Sequence, residues 1–96
     1  MRRAAKVDAN QPEIVAALRK VGAQVFSLAA VGDGIPDLLC GFRGATVLIE
    51  VKDGSKPPSA RQLTDDQIKW HAEWIGGRCV VVSSVDEALA AIGVSV

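Results

Sequence analysis

The sequence predicts a single α/β domain in which a mixed sheet is flanked by helices, with elements in the order α-β-β-β-α-β-α. Three observations carry this expectation. Two apolar, strand-like runs meet at Arg43-Gly44, the signature of a hairpin. Thr64-Asp-Asp-Gln67 and Ser84-Val-Asp-Glu87 each open a helix-patterned segment as a capping box does. One of those helical segments stands between the third and fourth strands, so these two can run parallel through a crossover while the first three form a meander.

Taken in order, residues 1–9 carry no periodic pattern and read as a loose arm. Asn10 is placed to cap a helix and Pro12 suits its first turn. Ile14, Val15, Leu18 and Val21 share one helical face before Gly22 stops it, which gives a helix over about 11–21. Gln24 to Ala29 reads as a strand, and Gly32-Asp33-Gly34 as a turn into the hairpin of Ile35 to Lys52. Asp53 to Ser59, with Gly54, Pro57 and Pro58, is an exposed loop. Ile68, His71, Trp74 and Ile75 continue the second helix until Gly76-Gly77. Arg78 to Ser83, rich in valine, is the last strand, and the last helix runs to about Ile92.

Composition sets limits. Ninety-six residues make one domain, and no apolar run approaches the roughly 20 residues of a membrane span. No signal-like stretch follows Arg2 and Arg3, so a soluble, cytoplasmic protein without membrane contact is expected. Cys40 and Cys79 lie in apolar runs without a second ligand at metal spacing and read as reduced core residues. Gly32-x-Gly34 is too short for a dinucleotide fingerprint, and no small-molecule cofactor is expected. Eleven basic residues balance eleven acidic ones, against the basic excess usual in nucleic-acid binders. The distribution is uneven, however: Arg2, Arg3 and Lys6 cluster at the N-terminus, and Lys52, Lys56 and Arg61 flank Pro57-Pro58.

A hairpin centred on Arg43-Gly44 pairs Leu39 with Leu48, Asp37 with Glu50 and Ile35 with Lys52. Strand alternation points Leu48, Glu50 and Lys52 to one face. Cross-strand Cβ atoms lie about 5 Å apart, where two like charges destabilise a sheet. A divalent cation held by both carboxylates would compensate, since Mg²⁺ and Mn²⁺ take hard oxygen ligands. The Val51 carbonyl is a further oxygen within reach. Two carboxylates with an ammonium group at one strand end suit phosphodiester hydrolysis, in which a metal polarises the phosphate and a cation steadies the developing charge.

Pro36-Asp37 followed by Glu50-Val51-Lys52 resembles the signature of the PD-(D/E)XK nuclease superfamily, and the element order is similar to its restriction-endonuclease-like core. Within that superfamily the chain most resembles the small stand-alone VRR-NUC domains of phages and bacteria, in its Gly32 to Asp37 segment, in Glu50-Val51-Lys52 and in Thr64 to Gln67. The resemblance implies a Mg²⁺- or Mn²⁺-dependent endonuclease, acting as a homodimer on branched DNA such as a four-way junction or flap. It implies Asp37 and Glu50 as metal ligands and Lys52 as the catalytic lysine. Glu13 resembles the acidic residue that members present from the first helix, and Gln67 the helix glutamine found near the site.

Each residue also has a structural reading. Glu-x-Lys can be a solvated edge, and Asp37 a turn former. Glu13 and Gln67 occupy capping-box positions. His71 reads as a packed residue, and Trp70 and Trp74, four apart, as a core or dimer contact. The alternative function is a non-catalytic nucleic-acid or protein interaction module on the same fold; a small regulatory domain without nucleic acid is a third.

Overall fold

Arg43 and Gly44 both take positive φ, 49° and 80°, the combination of a type I′ turn whose twist matches that of the strands it joins. The computed structural model describes residues 7–95. Its elements are α1 (Gln11–Lys20), β1 (Gln24–Ser27), β2 (Leu38–Phe42), β3 (Ala45–Val51), α2 (Asp65–Glu73), β4 (Cys79–Val82) and α3 (Val85–Ala91), with a single 3₁₀ turn at Pro58–Ala60. The expected arm falls largely on residues 1–6, outside the described residues. Asp8 is not loose: its carbonyl accepts from the Gln11 N–H at 3.0 Å.

The sheet order is β1-β2-β3-β4. β1 and β3 both run antiparallel to β2, and β4 runs parallel to β3. The hairpin register is the expected one, with Leu39 opposite Leu48 and Leu38 opposite Ile49. It stops there, so Ile35 and Lys52 are not partners. Pro36 has no N–H for a ladder, and the Val51 N–H is taken by the Asp37 side chain. The Lys52 N–H turns the other way, to the Val82 carbonyl, while the Ile35 N–H closes a turn on Gly32.

This register sorts the side chains into two faces. Val25, Leu38, Cys40, Val47, Ile49, Val51 and Val82 form the core with Ile14 and Leu18 of α1 and Ala88 and Leu89 of α3. The opposite face carries Phe26, Leu39, Leu48 and Cys79 in one row, and Asp37 and Glu50 in the next. α2 lies over this second face but has no buried residue of its own. Burial is therefore concentrated on one side of the sheet, and the thinly covered side is the one that holds the carboxylates.

Two helix boundaries differ from expectation. Asn10 stands at the N-cap of α1 but makes no capping hydrogen bond; its Nδ2 donates to the carbonyls of Lys52 at 3.0 Å and Ser83 at 3.2 Å. Those bonds tie the start of α1 to the ends of β3 and β4. α2 ends at Glu73 because Trp74 turns extended, with ψ 124°. The Trp74 indole stacks on Trp70 with centroids 4.9 Å apart and donates to the Gly77 carbonyl at 2.8 Å. Gly76 packs against the indole ring, where a Cβ would collide. The glycine pair thus lets the chain fold back beside Trp74 instead of completing another turn, which leaves Ile75 98% exposed. Among the described residues no helix is long and apolar enough to cross a membrane.

Candidate active site

Asp37 and Glu50 occupy the paired position just past the last ladder pair, Leu38 and Ile49. In a hairpin closed by a two-residue turn this position belongs to the non-hydrogen-bonded type, where opposing side chains come closest. β3 is the central strand of this half of the sheet, and Glu50 on it is 1% exposed. Asp37 is held in place by its own neighbours. Its carbonyl accepts from the Leu28 N–H and its Oδ2 from the Val51 N–H, both at 2.7 Å. The Asp37 carboxyl lies close enough to Glu50 for its charge to act on it.

Burial, together with the neighbouring Asp37 carboxyl, pushes the Glu50 carboxyl up to about 9, and Asp8 adds to the rise while Lys52 opposes it. Glu50 Oε2 accepts from Gln67 Nε2 at 3.2 Å and lies 4.0 Å from Lys52 Nζ. Glu50 Oε1 is buried without a partner. A buried carboxylate oxygen with no donor is unfavourable and calls for a cation.

Lys52 Nζ donates to Gln67 Oε1 at 2.8 Å. The same Oε1 accepts from the Thr64 N–H at 2.9 Å, and Thr64 Oγ1 accepts from the Gln67 N–H at 3.2 Å. Gln67 therefore does two things at once. It closes the capping box that starts α2, and its carboxamide bridges the lysine and the glutamate.

The remaining sequence-derived candidates divide. Val51 follows Glu50 on β3, and its N–H is engaged by Asp37. Glu13 is not brought to the site: it is exposed on α1 and lines a separate cleft with Asn10, Asp53, Ser83 and Asp86. It closes no capping box either, since Asn10 caps nothing. The acid that does act on Glu50 from this end of the chain is Asp8, which sequence patterning left in the arm. Its only sequence signal is an acidic residue just ahead of a helix start, a common feature of helix N-termini.

His71 packs under α2 with Nδ1 3.5 Å from Cys79 Sγ. Burial and the charge of Glu50 push the Cys79 thiol up, and burial alone does the same for Cys40. Both thiols are free and held in the inert form.

Among the described residues no group of three or more His, Cys, Asp and Glu side chains is set to hold a metal ion. Mg²⁺ keeps several waters and takes one or two carboxylates plus substrate phosphate in place of an all-protein cage. Asp37, Glu50 with its unpartnered Oε1, and the Val51 carbonyl fit that demand.

No protein-family model matches the chain, and no curated protein does. Among solved structures, a VRR_NUC domain matches it with a TM-score of 0.63 over 88% of this chain and 96% of its own length, at 24% sequence identity. The chain therefore has the fold of a VRR-NUC domain, an α/β, restriction-endonuclease-like architecture.

Proposed function

We propose that the protein is a metal-dependent DNA endonuclease that hydrolyses phosphodiester bonds, selects branched DNA such as a four-way junction or flap, and works as a homodimer. The observation that carries this reading is the buried Glu50 carboxyl with half-buried Asp37 across from it and Lys52 fixed beside it by Gln67. Asp37, Glu50 and the Val51 carbonyl would hold Mg²⁺ or Mn²⁺. When bound, the ion supplies Lewis acidity toward a phosphate oxygen and lowers the pKa of a water. Lys52 has three ammonium protons and gives one to Gln67. The others are available to orient the attacking water or to meet charge on the phosphorane oxygens. The dimer reading draws on Phe26, Ile68, Trp74, Ile75 and Val81, large apolar side chains left exposed.

The test is cleavage of labelled four-way junction, flap and linear duplex by wild type and Glu50→Ala, with Mg²⁺, Mn²⁺ or EDTA, alongside a solution mass. Metal-dependent cutting that the substitution abolishes is the expected result, with branched substrates cut faster than duplex. Failure of folded wild type to cut any of them in either metal would defeat the proposal.

Gln67 provides a second, finer test. Gln67→Ala removes the bond to Lys52 and half of the capping box, and should lower cleavage by about 10–100-fold, as loss of a supporting contact does. The cap itself is worth about 1 kcal/mol. Gln67→Glu keeps a good capping-box residue but sets a carboxylate against Glu50 Oε2. It should match wild type in helix content and still lose activity in single-turnover cleavage. Equal activity of Gln67→Glu and wild type would mean that the residue serves the helix only.

A further inference from the structure

We infer that Arg61 is a DNA-phosphate contact, set on a preformed loop to grip the backbone beside the scissile bond; this rests on the nuclease reading above. The loop from Asp53 to Leu63 leaves β3 after Lys52 and returns to α2 before Gln67. Lys52 and Gln67 are themselves joined at 2.8 Å, so both ends of the loop are pinned at the catalytic lysine. Thr64, whose N–H bonds the same Gln67 oxygen, is three residues from Arg61. Three residues span at most about 10 Å, which keeps Arg61 next to the site.

The loop is ordered by its own bonds. Asp53 Oδ1 accepts from the N–H and hydroxyl of Ser55, and Gly54 packs on the Ser83 carbonyl. The N–H groups of Ala60 and Arg61 close the 3₁₀ turn on Pro57 and Pro58, and Pro57-Pro58 stiffens its entry. Arg61 therefore stands on a rigid base.

Its side chain is unfinished. Arg61 is half-buried, and its Nε is buried with no acceptor. Asp65 and Asp66 lie only four and five residues on, yet the one ion pair among the described residues is Lys52 with Glu50. Among the described residues the Arg61 guanidinium is thus not committed to any carboxylate. Its planar fork matches the two free oxygens of a phosphodiester. Between Asp53 and Asp65 the loop carries Lys56 and Arg61 and no acid.

The experiment is binding of a labelled duplex and a labelled four-way junction in EDTA across a KCl series, for wild type, Arg61→Ala and Arg61→Lys. Cleavage with Mn²⁺ and the Mn²⁺-induced rise in melting temperature are read on the same samples. Arg61→Ala should bind about tenfold more weakly on both DNAs and lose about one unit from the slope of log affinity against log salt. Its KM should rise more than its kcat falls, and its response to Mn²⁺ should match wild type. Arg61→Lys should keep the slope and recover part of the affinity, because the charge remains without the fork. Wild-type affinity and slope in Arg61→Ala, with wild type binding and cutting normally, would overturn the contact and leave the nuclease standing. Wild type that neither binds nor cuts DNA would remove both. Should Arg61→Ala not fold, Arg61→Lys decides alone: a several-fold affinity loss at unchanged slope supports the contact, and full wild-type affinity overturns it.

Discussion

Glu50→Gln should abolish metal-dependent cleavage, by about 10³-fold or more, and at the same time make the metal-free protein more stable. The two effects have one origin. Glu50 is 1% exposed and faces Asp37, so its ionised form is tolerated only when a cation is present. Its ordinary value is 4.5 and its folded value is raised to about 9. Below about pH 4.5 the folded and unfolded chains carry this proton alike, and the stabilising bias is fully present. As pH rises toward 9 the unfolded carboxyl has ionised while the folded one still holds its proton. The metal-free wild type should therefore lose stability across that window, by up to about 1.4 kcal/mol per pH unit. Glutamine carries no such proton, so the variant should show a flatter profile. At pH 8 it should melt higher than wild type by about 4–8 °C for each kcal/mol recovered. Mn²⁺ at a roughly hundredfold excess over its Kd should stabilise wild type by about 2.7 kcal/mol, more at high pH than at low, and should leave Glu50→Gln unmoved. Thermal melts across pH, with and without Mn²⁺, check all of this. A metal-free wild type whose melting temperature rises from pH 5 to pH 8 would contradict the account.

Most of this centre is legible in the sequence because β structure is periodic and the turn is unambiguous. With Arg43-Gly44 as the bend, alternation alone puts Asp37 across from Glu50 and sends Glu50 to the face opposite Val47, Ile49 and Val51. The parallel placement of β4 follows from the helix between it and β3. What fails is mostly information that periodicity does not hold. The influence of Asp8 on Glu50 depends on how the chain enters α1, and Asn10 is legible as a helix start but not as a donor to two strand-end carbonyls. Glu13 meets the same limit: a helical position gives a direction only after the helix is docked. Gln67 exposes a false choice, since one carboxamide can cap a helix and hold a lysine. Ile68 and Ile75 fall at helical spacing in the sequence, and both are exposed. Their apolar character does not fix α2 to the sheet.

That weak apolar hold leaves α2 dependent on a few polar and backbone contacts, and Gly34→Ala should show it. Gly34 takes φ 78°, and a Cβ there would run into the backbone of Asp66 and Gln67. Neither side can move away by a rotamer change, so the turn or the first turn of α2 must shift. The added left-handed strain and the clash together should cost roughly 2–4 kcal/mol. Gly32 is the control, because it has nearly the same φ, 79°, and an added Cβ there would meet nothing within 4 Å. Gly32→Ala should lose only the strain, about 1 kcal/mol. Since Thr64 and Gln67 open α2, displacement of its first turn should also pull the carboxamide from Lys52. Gly34→Ala should then cut DNA about 10–100-fold more slowly at saturating substrate, with faster amide exchange from Gln67 to Glu73, whereas Gly32→Ala should cut nearly as wild type does. Equal losses in the two variants would mean that left-handed strain alone accounts for the effect, and that the contact between this turn and α2 does not position the lysine.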